Sequence, residues 1–234
     1  MDESQANPVL APTLASFKAH PRKGIDLLSS HSCRAIQIDA RSEGTRPSDL
    51  GPSGRRDLAG LIRKRGMTLA GLDLWLPESA FLEAGTIDRA VDRTLECIDL
   101  AAELGHCTVS MCLPPAETSS QLDAAIETIL GRAGRQGVRI ADHAPGAASA
   151  KPLDVHAHGL GLDPASLMVQ GEDPVEAVHA WGERLASARL IDLAPGGGRI
   201  LPTHGGGGRL DLVSYKVALG LNPGCRQVVL DLRG

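Results

Sequence analysis

Aromatic side chains are almost missing from this chain: Phe, Tyr and Trp make up 2% of its 234 residues. A core must therefore be built from Leu, Ile, Val and Ala, and stacking on nucleobases or sugar rings has few candidates, chiefly Trp75, Trp181 and Tyr215. Long apolar runs are missing too. No stretch reaches the length that crosses a bilayer, and the start Met1-Asp-Glu-Ser-Gln5 has neither the basic residues nor the apolar segment of a secretory signal. These absences argue against a membrane partner and for a cytoplasmic protein. There is no basic excess: the net charge is −4, which gives no general attraction to nucleic acid. Arg55, Arg56, Arg63, Lys64 and Arg65 read as the solvated face of a helix. The five cysteines contain no CxxC pair, and Cys97, Cys107 and Cys112 lie among apolar residues, as reduced, buried thiols do. No GxGxxG joins an early strand to a helix, which disfavours a dinucleotide-binding fold.

What is present is an alternation. Strand-like runs such as Arg34–Arg41, Met67–Leu76, Cys107–Leu113, Val138–Pro145 and Gln227–Leu232 are separated by helical periods. The longest of these opens at Thr86, with Ile87, Val91, Leu95, Ile98, Ala101 and Ala102 at spacings of three and four and a stop at Gly105. Further helices are predicted over Ser53–Arg65, Gln121–Arg135, Asp173–Leu185 and Asp211–Leu219. Alternation of this kind predicts parallel βαβ units, and about eight candidate strands fit a closed α/β barrel better than an open sheet. The expected architecture is a single (β/α)8 TIM barrel domain over residues 1–234, with reduced helices after strand 5 and strand 8. The missing helices would leave apolar flanks for a homo-oligomer to cover.

Several strand-like runs end on charged or polar residues, where side chains in such folds face the pocket. Asp73 and Trp75 lie two residues apart at one tip, Asp142 and His143 end another, Asp163 follows Leu160–Leu162 directly before Pro164, and Asp231 lies near the end of the last strand. The glycine runs Gly196–Gly198 and Gly205–Gly208 suit a phosphate-cradling loop, a lid or a linker.

Four stretches resemble the xylose-isomerase-like TIM barrels, the broad family of sugar phosphate isomerases and epimerases that includes endonuclease IV-type enzymes. They are Gly71-Leu-Asp-Leu-Trp-Leu-Pro77; Val138-Arg-Ile-Ala-Asp-His-Ala-Pro-Gly146; Gly161-Leu-Asp-Pro-Ala-Ser166; and Ala188-Arg-Leu-Ile-Asp192 taken with Leu201-Pro-Thr-His-Gly-Gly-Gly-Gly-Arg-Leu-Asp211. The resemblance implies a divalent metal (Mn²⁺, Mg²⁺, Co²⁺ or Zn²⁺) held by Asp163 and Asp231, with help from Asp142 or His143. Asp142 and Asp231 would move a proton on a small hydroxylated or phosphorylated sugar, and Asp73, Trp75, His143 and Arg189 would bind it. Where the family carries a Glu and two His, this chain has Ala141, Arg189 and Ser166. Arg189 would repel a cation and favour an anionic substituent of the substrate. His143, His156, His158 and His204 fall in predicted loops that could approach the site and substitute as ligands. The other reading is a metal-free barrel that binds a ligand or partner. An endonuclease would need more His and Glu ligands than this chain offers.

Overall fold

Short apolar strands that alternate with helices can bury both faces only if they pair in parallel and the helices cover the outside. The computed structural model, which describes residues 8–17, 19–83, 85–114, 119–149, 156–202 and 207–231, has that arrangement. Its strands are β1 (Val9–Pro12), β2 (Ala35–Asp39), β3 (Thr68–Asp73), β4 (Thr108–Met111), β5 (Ile140–Asp142), β6 (His158–Leu162), β7 (Leu185–Leu190), the short hairpin β8 (Asp192–Leu193) and β9 (Arg199–Ile200), and β10 (Gln227–Leu230). Eight of them form one parallel sheet in the order β1-β10-β7-β6-β5-β4-β3-β2. A single bridge from Thr13 to Gln37 joins the two ends, so the barrel closes on a loose seam.

The helices are α1 (Pro21–Ser30), α2 (Pro52–Lys64), α3 (Ser79–Leu82), α4 (Ile87–Glu103), α5 (Ser120–Gln136), α6 (Pro164–Val169), α7 (Pro174–Trp181) and α8 (Leu212–Leu221). The apolar face expected of the longest helix is the one it buries, through Ile87, Ile98 and Ala101. Gly137 ends α5 in the left-handed region at φ 62, where a Cβ would be strained. The helix expected from Asp173 to Leu185 is shorter. It stops at Trp181 because Gly182 takes φ 51, and Leu185 is already the first residue of β7.

One large core cluster joins β2–β5 to α1, α2, α4 and α5. A smaller one joins β6, β7 and β10 to α7 and α8 around Tyr215. Among the described residues no helix lies between β5 and β6, and the stretch after the last strand lies outside the described residues. Inside the barrel runs a buried polar thread, in which Gln37 Nε2 donates to Ser110 Oγ at 3.3 Å and Ser110 Oγ donates to Ser187 Oγ at 3.5 Å.

Candidate functional site

Strands in a parallel barrel all point their C-terminal ends at one mouth, so residues at those tips meet whatever their distance in sequence. Asp73 ends β3, Arg189 is the penultimate residue of β7, and Asp231 directly follows β10. Arg189 Nη2 donates to Asp73 Oδ1 at 3.0 Å, and Nη1 pairs with Asp231 Oδ2. All three side chains are buried. Thr13 Oγ1 donates to the second oxygen of Asp73 at 3.2 Å, and Trp75 Nε1 donates to Asp73 Oδ1 at 3.1 Å. The Arg189 guanidinium lies 4.6 Å from the centre of the Trp75 ring, a cation–π contact. Tyr215 fixes the strand from outside by donating its hydroxyl to the Arg189 carbonyl at 2.9 Å.

Above this cluster opens a cavity of about 400 Å³ lined by Trp75, Cys112, His143, Asp163, Arg189 and Asp231, among others. The His143 ring meets Trp75 edge-on at 5.3 Å. It rests over Gly161, where an added Cβ would stand 2.2 Å from the ring, so only glycine leaves it room. The carboxylate of Asp163 caps α6 by accepting from Ser166 N at 3.1 Å and takes an ion pair from Arg199 at 2.8 Å. Arg199, on the β9 arm of the hairpin, was not singled out from the sequence, since it sits in a glycine-rich segment with no periodic pattern to place it.

Asp142 is placed differently from its neighbour His143. Ile140 belongs to the outer core cluster with Ile126 and Ile129 of α5. Strand alternation then turns Asp142 to the same side and Ala141 and His143 to the opposite one. The Asp142 carboxylate accepts from Leu113 N at 3.0 Å and Ala144 N at 2.9 Å and lies 3.4 Å from His158 Nε2. It organises the loops after β4 and β5 rather than lining the mouth beside Trp75. His156 and His158 line a cavity at the other end of the barrel, and His204 lies outside the described residues.

The remaining polar tips are structural. Asp39 accepts from Arg41 N and Ser42 Oγ, both at 2.9 Å, while the Arg41 guanidinium turns to the Trp75 carbonyl. Asp192 Oδ1 gathers the backbone N–H groups of Leu193, Arg209 and Leu210. Burial, with the Asp142 charge second, pushes the Cys112 thiol up to about 12, which disfavours its thiolate.

A divalent metal does not fit this donor set. Asp231 is engaged by Arg189 and Asp163 by Arg199 and a helix cap, Ala141 has no donor atom, and a guanidinium stands among the carboxylates a cation would need. Among the described residues no group of three or more His, Cys, Asp or Glu side chains could hold a metal ion.

No protein-family model matches the sequence, and no curated protein does. The fold matches solved structures throughout its length. The chain is 14% identical to D-psicose 3-epimerase from Clostridium cellulolyticum H10, determined with D-tagatose, at a TM-score of 0.73 over 95% of this chain and 84% of that one. It is 15% identical to a xylose isomerase domain protein from Planctomyces limnophilus, at a TM-score of 0.70 over 97% and 90%. It is also 15% identical to a sugar phosphate isomerase/epimerase from Parabacteroides distasonis ATCC 8503, at 0.66 over 100% and 89%. The fold is thus that of the xylose-isomerase-like TIM barrels, and at these identities the likeness is one of architecture, on which many activities can be carried.

Proposed function

We propose that this barrel binds an unphosphorylated sugar or similar polyol at its C-terminal mouth and does so without a divalent metal. The observation that carries the reading is the position of Arg189, a fixed cation clamped by Asp73 and Asp231 at the centre of the mouth. Among the described residues, the carboxylates of Asp73, Asp163 and Asp231 outnumber the two guanidinium groups paired with them. That balance opposes a phosphate and suits a neutral ligand whose hydroxyls both donate and accept. Trp75 supplies the apolar face that a sugar ring packs against, and His143 a polar ring beside it. Arg189, already engaged on both sides, would orient the two carboxylates rather than hold an anionic substituent. The fold likeness to sugar epimerases supports the ligand class.

A second reading, isomerase or epimerase chemistry on the same ligand, is favoured by His143, an imidazole that lines the mouth. Thermal-shift titration with neutral ketoses and aldoses, with sugar phosphates and with Mn²⁺, Mg²⁺, Co²⁺ and Zn²⁺ tests both. Stabilisation by a neutral sugar, lost in Trp75→Ala and indifferent to metal, is the expected result. Stabilisation by sugar phosphates alone, or a stoichiometric metal required for binding, would overturn it. Turnover of the bound sugar to an isomer would establish the second reading.

A further inference from the structure

Beside the mouth lies a second cavity, of about 110 Å³ against about 400 Å³ for the mouth itself. The two share His143, Pro145, Asp163 and Ser166, and the smaller one reaches past these residues to Trp181 at the end of α7. A side pocket that opens on a binding mouth sorts ligands by what they carry in addition to the part the mouth holds.

Local hydrogen bonds hold the walls of this pocket in place. One wall is the loop Ala144-Pro-Gly-Ala-Ala-Ser149, in which no side chain is larger than proline, so the loop leaves open the space a bulkier sequence would fill. Two turns shape it: Ala147 N donates to the Ala144 carbonyl at 3.1 Å and Ser149 N to the Gly146 carbonyl at 3.0 Å. Its ends are tied down, since Ala144 N donates to the Asp142 carboxylate at 2.9 Å and Arg184 Nη1 to the Ala148 carbonyl at 3.3 Å. The second wall is apolar. Leu167 of α6 is buried, and Trp181 packs against the core cluster around Tyr215 where α7 stops. The third wall is polar and follows the end of α6, with Ser166, Gln170 and Glu172. Gln170 Nε2 donates to the Ser166 carbonyl at 3.1 Å, which fixes that amide, and Glu172 N donates to the Leu167 carbonyl at 2.9 Å.

A group seated here meets alanine, leucine and indole surface on one side and an amide and a carboxylate on the other. The size admits a short substituent and not a second sugar ring. The Glu172 carboxylate opposes an anionic arm and favours one that donates an N–H. A short neutral group with an apolar end and an N–H is an acylamino group. We propose that the side pocket is a specificity subsite for such a group, so that the ligand of the mouth is an N-acylated amino sugar. The inference rests on the reading of the mouth as a sugar site and names the class of sugar. The acyl methyl packs on Trp181 and Leu167, and the amide is met by Ser166, Gln170 and Glu172, while Trp75 holds the ring across His143.

Calorimetric titration of the protein with N-acetylglucosamine, N-acetylgalactosamine and N-acetylmannosamine, each beside its parent hexose and its unacetylated hexosamine, tests the proposal. The expected result is that at least one N-acetylated sugar binds about tenfold more tightly than its parent, the gain of one buried methyl and one hydrogen bond. Trp181→Ala, which removes the indole wall, and Ala148→Leu, which fills the pocket, should each bring the two affinities within about threefold of one another. Should Trp181→Ala fail to fold, Ala148→Leu decides alone. Parent hexoses that bind as tightly as every acetylated sugar would overturn the proposal and leave the reading of the mouth intact. So would a hexosamine that binds as tightly as its acetylated form, or an acetyl preference that survives both variants. Binding of no sugar at all would overturn the reading of the mouth and this inference with it.

Discussion

Replacing Arg189 by Met removes the cation that, among the described residues, Asp73 and Asp231 share, and leaves two buried carboxylates, with relative exposures of 0% and 2%. Breaking a buried pair from one side costs about 3–5 kcal/mol, because the abandoned charge keeps its desolvation penalty. A chain of this size has about 5–15 kcal/mol in all. At roughly 2–4 °C per kcal/mol, the melting temperature should fall by about 6–20 °C. Thr13 and Trp75 continue to donate to Asp73, so the drop belongs near the lower half of that range. The variant also makes a second, sharper prediction. With the guanidinium gone, the two carboxylates become the beginnings of a cation site, and Mn²⁺ at a hundred times its Kd would return about 2.7 kcal/mol to the variant and nothing to the wild type. Urea denaturation with and without Mn²⁺, in both proteins, reads out both effects as shifts of the midpoint at constant slope. A variant within about 1 kcal/mol of wild type would refute the reasoning about the buried pair. Equal stabilisation of both proteins by Mn²⁺ would refute the claim that Arg189 stands where a metal would.

Trp75→Phe keeps an aromatic face but removes the indole donor to Asp73, at a cost of about 1–3 kcal/mol for a buried charged acceptor; a neutral denaturation result would mean that bond contributes nothing. With only Trp75 and Trp181 in the chain, the sugar-induced change in intrinsic fluorescence should vanish in the same variant. Gly161→Ala drives a methyl into the His143 ring and should destabilise by about 1–3 kcal/mol while weakening sugar binding; unchanged affinity would remove His143 from the site. Burial pushes the thiols of Cys107 and Cys225 up to about 12 and about 11, and raises that of Cys97 well above its ordinary value. Their folded pKa lies above the unfolded value of 9.0, so their contribution is complete below pH 9 and is lost as pH rises toward 11–12. Stability should fall by up to ~1.4 kcal/mol per pH unit for each thiol over that window. A flat profile between pH 9 and 11 would contradict the burial of these side chains.

Much of the barrel was legible because its signals are local. The three-and-four spacing of α4, the alternation of apolar runs and helices, and stops such as Gly105 and Gly137 each act within a few residues. Part of the mouth was legible as a set of strand tips, which is how Asp73, Trp75, His143 and Asp231 were singled out, whereas Arg189 came from the resemblance of Ala188–Asp192 to the family's strand. Their partners were not. Asp73 and Arg189 are 116 residues apart, and nothing near either one encodes which cation meets which carboxylate. For Asp142 the matter turned on a single residue of register in a three-residue strand, since a slip by one exchanges mouth and outer face. Arg199 fell in a glycine-rich segment where no period operates, yet it neutralises Asp163.

The charge cluster also explains how a barrel with a loose seam holds its mouth in shape. The seam between β1 and β2 rests on one backbone bridge, and Thr13, which makes that bridge, also donates its hydroxyl to Asp73. Asp73 in turn binds Arg189 of β7, which binds Asp231 after β10. Four strand ends on different sides of the barrel are thus joined through one guanidinium. A metal could serve the same purpose only when bound, whereas Arg189 is present from the moment the strands assemble. It follows that stability and pocket charge depend on the same three residues, so a substitution at Arg189 changes both at once.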